Sequence, residues 1–227
     1  MHKADIRFYA GKTGTGKSWL AGYHIEELLN EGKYVVVFDP HNEHAFGQKY
    51  PFAKLVVGEE VLKRLDRKKA FEILKYYQKQ GKNLRIVTNK LYMEQYMHLV
   101  DCFSWAILNV GNVAFFIDEC KNVAPNEQGA PIELKKLVTE GRKFGVDVIM
   151  VAQRPAMVDT TLISQANSYY IFQMTDKNDL ERIRGYLNNV DDVHNLKGRE
   201  YIYIDTDKNT EQKMTTNGLH RATKHRG

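Results

Sequence analysis

Gly11-Lys-Thr-Gly-Thr-Gly-Lys-Ser18 matches every fixed position of the pattern G-x-x-x-x-G-K-[ST]. Ile6 to Tyr9 in front of it reads as a short apolar strand, and Trp19 to Asn30 behind it as an amphipathic helix. That context turns a glycine-rich run into a phosphate-binding loop. Gly11, Gly14 and Gly16 let the backbone curl into a nest whose N–H groups surround a β-phosphate, with Lys12, Thr13 and Thr15 filling the variable positions. Lys17 supplies an ammonium able to reach the β- and γ-oxygens, the Ser18 hydroxyl is placed to ligate magnesium, and the positive end of the following helix adds to the attraction. The expected ligands are ATP and Mg2+.

The rest of the composition is ordinary for a soluble globular chain. The 227 residues suit one large α/β unit, and 43% hydrophobic against 27% charged residues permits a core on both faces of a sheet. Lys and Arg exceed Asp and Glu by 33 to 28, and the resulting +5 mildly favours a polyanionic partner. Cys102 and Cys120 form no metal spacing and read as packing residues of a reducing compartment. No signal peptide opens the sequence. Its longest apolar runs fall far short of the ~20 residues a membrane span needs.

Short buried runs alternate with helical stretches along the chain. Tyr34 to Phe38, Leu84 to Thr88, Val113 to Ile117, Val146 to Ala152, Tyr169 to Met174 and Glu200 to Ile204 read as strands. Met93 to Val110, Ile132 to Phe144 and Lys177 to Tyr186 read as helices, and Gly32 as a helix stop. Such alternation implies a mainly parallel twisted sheet with helices on both faces. Leu62 to Lys82, where apolar residues interleave with Lys and Arg, reads as a solvated helix pair packed on the core, with nucleic-acid contact as the alternative. The domain is placed at residues 1–206. Residues 207–227, polar and basic, are read as an extension, either frayed or touching DNA or a neighbouring subunit.

The buried strand Val113 to Ile117 leads into Asp118-Glu119. Carboxylates at the carboxyl end of a parallel strand suit a nucleotide site, so Asp118 is expected to hold the magnesium and Glu119 to activate the attacking water. The strand ending at Ala152 delivers Gln153 to the same edge, where its amide either reports on the γ-phosphate or caps a turn. Arg142, at the end of the preceding helix, is either an arginine finger for a neighbouring subunit or a partner in a local salt bridge. The loop from Lys121 to Pro131 either touches DNA phosphates or is plain surface.

Thr139-Glu-Gly-Arg-Lys-Phe-Gly-Val-Asp-Val-Ile-Met-Val-Ala-Gln-Arg-Pro155 resembles a segment of the FtsK/HerA superfamily of DNA-translocating ATPases, which carries a glycine-arginine turn, a strand and a Gln-Arg-Pro ending. The likeness extends back to the phosphate loop, to Asp39-Pro40-His41 and to Asp118-Glu119, and forward through the helix read between Asp159 and Asn167 to Arg182. It implies a RecA-like fold, a ring that is usually hexameric, a nucleotide at each subunit boundary and double-stranded DNA in the channel. By position it assigns phosphate and metal to Gly16, Lys17 and Ser18, metal to Asp118, water to Glu119 and the γ-phosphate to Gln153. The finger in trans falls to Arg142, with Arg154 second. Few residues precede the first strand and no winged-helix segment follows, so the chain is most similar to the compact genome-packaging ATPases of tectivirus-like viruses. That likeness implies docking on a capsid-vertex or portal protein, in the host cytoplasm or at the virion's packaging vertex. Two other functions compete: an ATP-switched phage assembly or morphogenesis factor, and a conjugation or plasmid-mobilisation ATPase of the same superfamily.

Overall fold

The structure, a computed structural model, describes residues 4–224. Its frame is one sheet of nine strands in the order β3-β4-β2-β5-β6-β1-β7-β8-β9. Strand β1 (Ile6–Ala10) lies near the middle, paired in parallel with β6 (Asp147–Ala152) on one side and β7 (Ser168–Phe172) on the other. Strands β2 (Tyr34–Phe38), β3 (Phe52–Val57), β4 (Asn83–Thr88) and β5 (Val113–Ile117) continue the parallel array. Only β8 (Glu200–Asp205) and β9 (Thr210–Thr215) run antiparallel. All carboxyl ends of the parallel strands therefore open on one edge.

The continuous apolar runs follow from burial on both faces. In β2, Val36 and Phe38 join one core with Phe115 and Ile117, while Val35 and Val37 join the other with Phe116 and Ile149. Helix α1 (Lys17–Asn30) covers the second face through Leu20, Ile25 and Leu28. The first face is covered by α3 (Arg67–Lys79), which follows the single turn α2 (Glu59–Leu62), together with α4 (Met93–Val110) and α5 (Ile132–Glu140). In α3, Ala70 and Leu74 turn inward, as a solvated helix on a core requires. The short helices α6 (Thr160–Ser164), α7 (Lys177–Ile183) and α8 (Asp191–His194) complete the chain, the first two capped by Asp159 and Asp176 side chains. Cys102 and Cys120 are buried and unpaired to one another.

Three features differ from the expectations. The stretch read as a helix to Phe144 ends at Glu140 and tightens into a 3-10 turn over Gly141–Phe144. Strand β3 was not anticipated: it is an edge strand, largely solvated, so its apolar residues do not form a buried run. The boundary placed at residue 206 runs through the β8–β9 hairpin, and residues 207–224 are built into the fold rather than frayed. Beyond β9 the chain crosses α1, where Glu26 accepts hydrogen bonds from Ala222 N (2.7 Å) and Thr223 N (2.9 Å) and pairs with buried Arg221. The strap then reaches the loop after β2, where Ala45 N donates to Lys224 O at 3.1 Å. His225, Arg226 and Gly227 lie outside the described residues.

Candidate nucleotide site

A cavity of about 830 Å³ opens on the carboxyl edge and gathers Thr13, Gly14, Gly16, Lys17 and Ser18 with Asp118, Glu119 and Gln153. Residues widely separated in sequence meet because β1, β5 and β6 all end there. Gly16 is the cap of α1 at φ 102, a left-handed conformation that a side chain disfavours. A Cβ on Gly11 would stand 2.6 Å from that of Phe172, so only glycine lets β1 turn beside β7. Within the loop the Lys12 carbonyl accepts from the Thr15 hydroxyl at 2.8 Å and from Lys17 Nζ at 3.0 Å. The ammonium is thus parked on its own loop, and burial lowers its pKa to about 8 although Glu119 and Asp118 partly restore it.

Glu119 adopts φ 57, ψ 60, a left-handed conformation costing about 1–2 kcal/mol in a non-glycine residue. Such strain persists where the surroundings impose a side-chain direction. Gln153 Nε2 donates to Glu119 Oε1 at 2.5 Å, and Thr13 Oγ1 donates to Gln153 Oε1 at 2.9 Å. The other Glu119 oxygen, Oε2, is buried without a hydrogen-bond partner among the described residues, its nearest cation being Lys121 Nζ at 3.9 Å. Burial, with the charge of Asp118 beside it, pushes the Glu119 pKa upward.

Asp118 is aimed from behind. His44 Nε2 donates to Asp118 Oδ2 at 2.8 Å, and the His44 ring is fully buried between Phe46 (5.4 Å, stacked) and Phe116 (4.8 Å, edge-on). Asp39 accepts the backbone N–H groups of Glu43 (2.9 Å) and His44 (3.0 Å), fixing the loop. Asp39, His44 and Asp118 bring possible metal-ligating atoms within 4.8 Å of one another. Their hydrogen bonds to one another and to the loop make the group a brace for Asp118. In the sequence Asp39-Pro40-His41 belongs only to the family likeness and nothing local marks His44, since the path from β2 to β5 exists only in the fold. His41 and Glu43 also line the cavity, as do Trp19, Arg199 and Thr216.

Arg142 does not join this cavity. It precedes β6, at the amino edge of the sheet, and pairs with Asp207 at 2.8 Å. Arg154, at the carboxyl edge, is held by Asp179 at 2.6 Å and Asp176 at 3.0 Å. In the loop after Glu119, Lys121 and Asn122 face the nucleotide cavity, Val123 and Ala124 are buried, and Pro125 bridges Val158. Among the described residues no helix is long and apolar enough to cross a membrane.

Residues 10–109 match the family described as helicase HerA, central domain. The DNA packaging ATPase P9 of Enterobacteria phage PRD1 is 24% identical over 182 residues, which are 78% of this chain and 67% of P9. The genome packaging NTPase B204 from Sulfolobus turreted icosahedral virus 2, solved in complex with ATP-gammaS, superposes with a TM-score of 0.70 at 17% identity, covering 95% of this chain and 98% of B204. The bacterial conjugative coupling protein TrwBdeltaN70 shares the fold at a TM-score of 0.68 and 14% identity, over 97% of this chain and 87% of its own. The matched segment runs from the end of β1 through most of α4, so the likeness to the HerA central domain takes in the phosphate loop, and the solved structures share the fold around it.

Proposed function

We propose that the chain hydrolyses ATP and uses the energy to move double-stranded DNA into a viral shell. The observation that carries this is the meeting, in one cavity, of Lys17, Ser18, Asp118, Glu119 and Gln153, with one Glu119 oxygen free of hydrogen bonds among the described residues. The loop N–H groups bind the β-phosphate, and Lys17 exchanges the Lys12 carbonyl for phosphate oxygens. Glu119, whose pKa is raised by burial and by Asp118, accepts the proton of the attacking water through Oε2. Gln153, bonded to both the loop and the base, ties the position of Glu119 to the occupancy of the γ-phosphate site. The hard oxygen donors of Ser18 and Asp118 fit magnesium, which when bound would neutralise charge on the β- and γ-oxygens.

That P9 is a packaging ATPase and B204 a packaging NTPase favours packaging over an assembly switch. On this reading the protein works as a ring, expected to be a hexamer, docked on a capsid-vertex or portal protein, in the host cytoplasm or at the virion's packaging vertex. Arg142, at the edge opposite the cavity, is the finger offered to the neighbouring subunit, with Arg154 second. The conjugative reading rests on shared folds such as that of TrwB; capture of a relaxase rather than a capsid protein would favour it. The test is ATP turnover with and without duplex DNA. DNA should stimulate the wild type, Lys17→Ala should lose nucleotide binding, and Glu119→Gln should bind but not turn over. Packaging by the hydrolysis-dead Glu119→Gln protein would overturn the proposal.

A further inference from the structure

The strand order gives the cavity a direction. The phosphate loop leaves β1 between β6 and β7. Asp118, Glu119 and Gln153 leave β5 and β6 on one side of it, whereas Arg199 and Thr216 reach the same cavity from the other side, at the open end of the β8–β9 hairpin. Arg199 precedes β8, Thr216 follows β9, and Thr216 N donates to Arg199 O at 3.1 Å, closing that end. A triphosphate whose γ-phosphate faces the carboxylates must lead its ribose and base the opposite way along the sheet edge, toward this hairpin.

Two observations at the hairpin fit a nucleoside. The Arg199 guanidinium lies 5.9 Å above the ring of Trp19, which in turn stacks on Tyr23 at 6.2 Å with planes 10° apart. Together they form a flat cationic and aromatic platform at the start of α1, the kind of surface on which a base stacks. Thr216 is 1% exposed, and its Oγ1 has no hydrogen-bond partner among the described residues. An unsatisfied hydroxyl in a buried wall is unfavourable, and in a cavity wall it marks a position where a ligand completes the bond.

The geometry points to the end of the β8–β9 hairpin as the nucleoside subsite, with Arg199 on Trp19 supporting the base and the Thr216 hydroxyl bonding the nucleoside. This rests on the nucleotide-binding reading above. It also gives the segment beyond residue 206 a part in ligand recognition, through a polar edge strand that carries no motif.

The experiment compares ATP with inorganic tripolyphosphate, which has the same phosphates and no nucleoside. Arg199→Ala and Thr216→Val should each weaken ATP about tenfold, the scale of one desolvated polar or cation–π contact, and leave tripolyphosphate affinity within about twofold. Lys17→Ala should weaken both probes. Thr216→Val should melt no lower than the wild type without nucleotide, because the lost hydroxyl has no protein partner. Equal losses for the two probes, or undiminished ATP affinity, would overturn the subsite while a normal Lys17→Ala effect keeps the phosphate site intact. Failure of the wild type to bind either probe would remove both readings.

Discussion

Glu26 is the residue on which the carboxyl-terminal strap depends, and Glu26→Gln tests whether that strap belongs to the fold. Its carboxylate sits in α1, almost fully buried, and accepts from Ala222 N, Thr223 N, the Thr223 hydroxyl and Arg221 Nε. Arg221 is 1% exposed in its side chain and lies 5.0 Å from the Phe46 ring. Glutamine keeps an acceptor of the same reach but removes the charge, leaving a buried guanidinium without its counter-ion. Breaking a buried pair from one side costs about 3–5 kcal/mol. The isosteric amide should fall near the lower end, about 3 kcal/mol. For a chain of this length that corresponds to a fall in Tm of about 6–12 °C. The double variant Glu26→Gln/Arg221→Met should recover a large share, because the stranded charge goes with its partner. Denaturant melts of wild type, both single variants and the double would give the coupling energy. A single variant within about 0.5 kcal/mol of wild type, or additive effects in the cycle, would refute the buried pair. Gly22→Ala checks the same packing sterically. Its new Cβ would collide with the Arg221 guanidinium, so the about 1 kcal/mol that alanine gains in a helix should be overturned into a loss.

Two further outcomes follow from the core and from the brace behind Asp118. Burial, assisted by Arg7, lowers the His24 pKa from 6.5 to about 3, and the Tyr9 hydroxyl donates to its Nδ1 at 2.5 Å. Glu27, 4.0 Å from Nε2, is half exposed and too well solvated to hold the ring charged. Below pH 6.5 the unfolded chain takes a proton that the folded chain refuses, so stability is full above 6.5 and falls by about 1.4 kcal/mol per unit as pH drops toward 3. At pH 5 the loss is about 2 kcal/mol. His24→Asn, whose amide oxygen replaces Nδ1 as acceptor, should flatten this part of the acid limb in urea titrations; an unchanged slope would assign it to other groups. At the site, His44→Leu should lower ATP turnover about 10–100-fold at limiting magnesium with nucleotide binding retained, and His44→Gln, which restores a donor near Nε2, should recover part of it. Equal turnover by the leucine and glutamine variants would show that the Asp118 bond does not matter.

The phosphate loop was legible because its chemistry is local. Gly11 to Ser18 need only their own order, a strand before and a helix after, to form the nest. Asp118 and Glu119 were legible as cavity-lining residues for a related reason, since a parallel strand buried on both faces delivers whatever follows it to the carboxyl edge, where ligands of such sheets sit. The helices with strong periodicity, such as α4, and the strands β2 and β5 appear with the boundaries expected. Strand β9 did not, because an exposed polar edge strand is held by backbone pairing to β8 and leaves no hydrophobic pattern.

Local order in the chain was therefore enough to read a phosphate-binding loop between a parallel strand and its helix, and to single out the two carboxylates and the amide that the fold brings to the same cavity. Tertiary structure alone placed His44 behind Asp118, brought Arg199 and Thr216 to the far end of the cavity, and set Arg142 on the opposite edge of the sheet. The difference is physical. A glycine-rich loop is specified by consecutive backbone conformations, whereas a brace, the Arg199–Trp19 contact or a buried tail is specified by which strands lie side by side, and that order emerges only when the whole sheet is assembled.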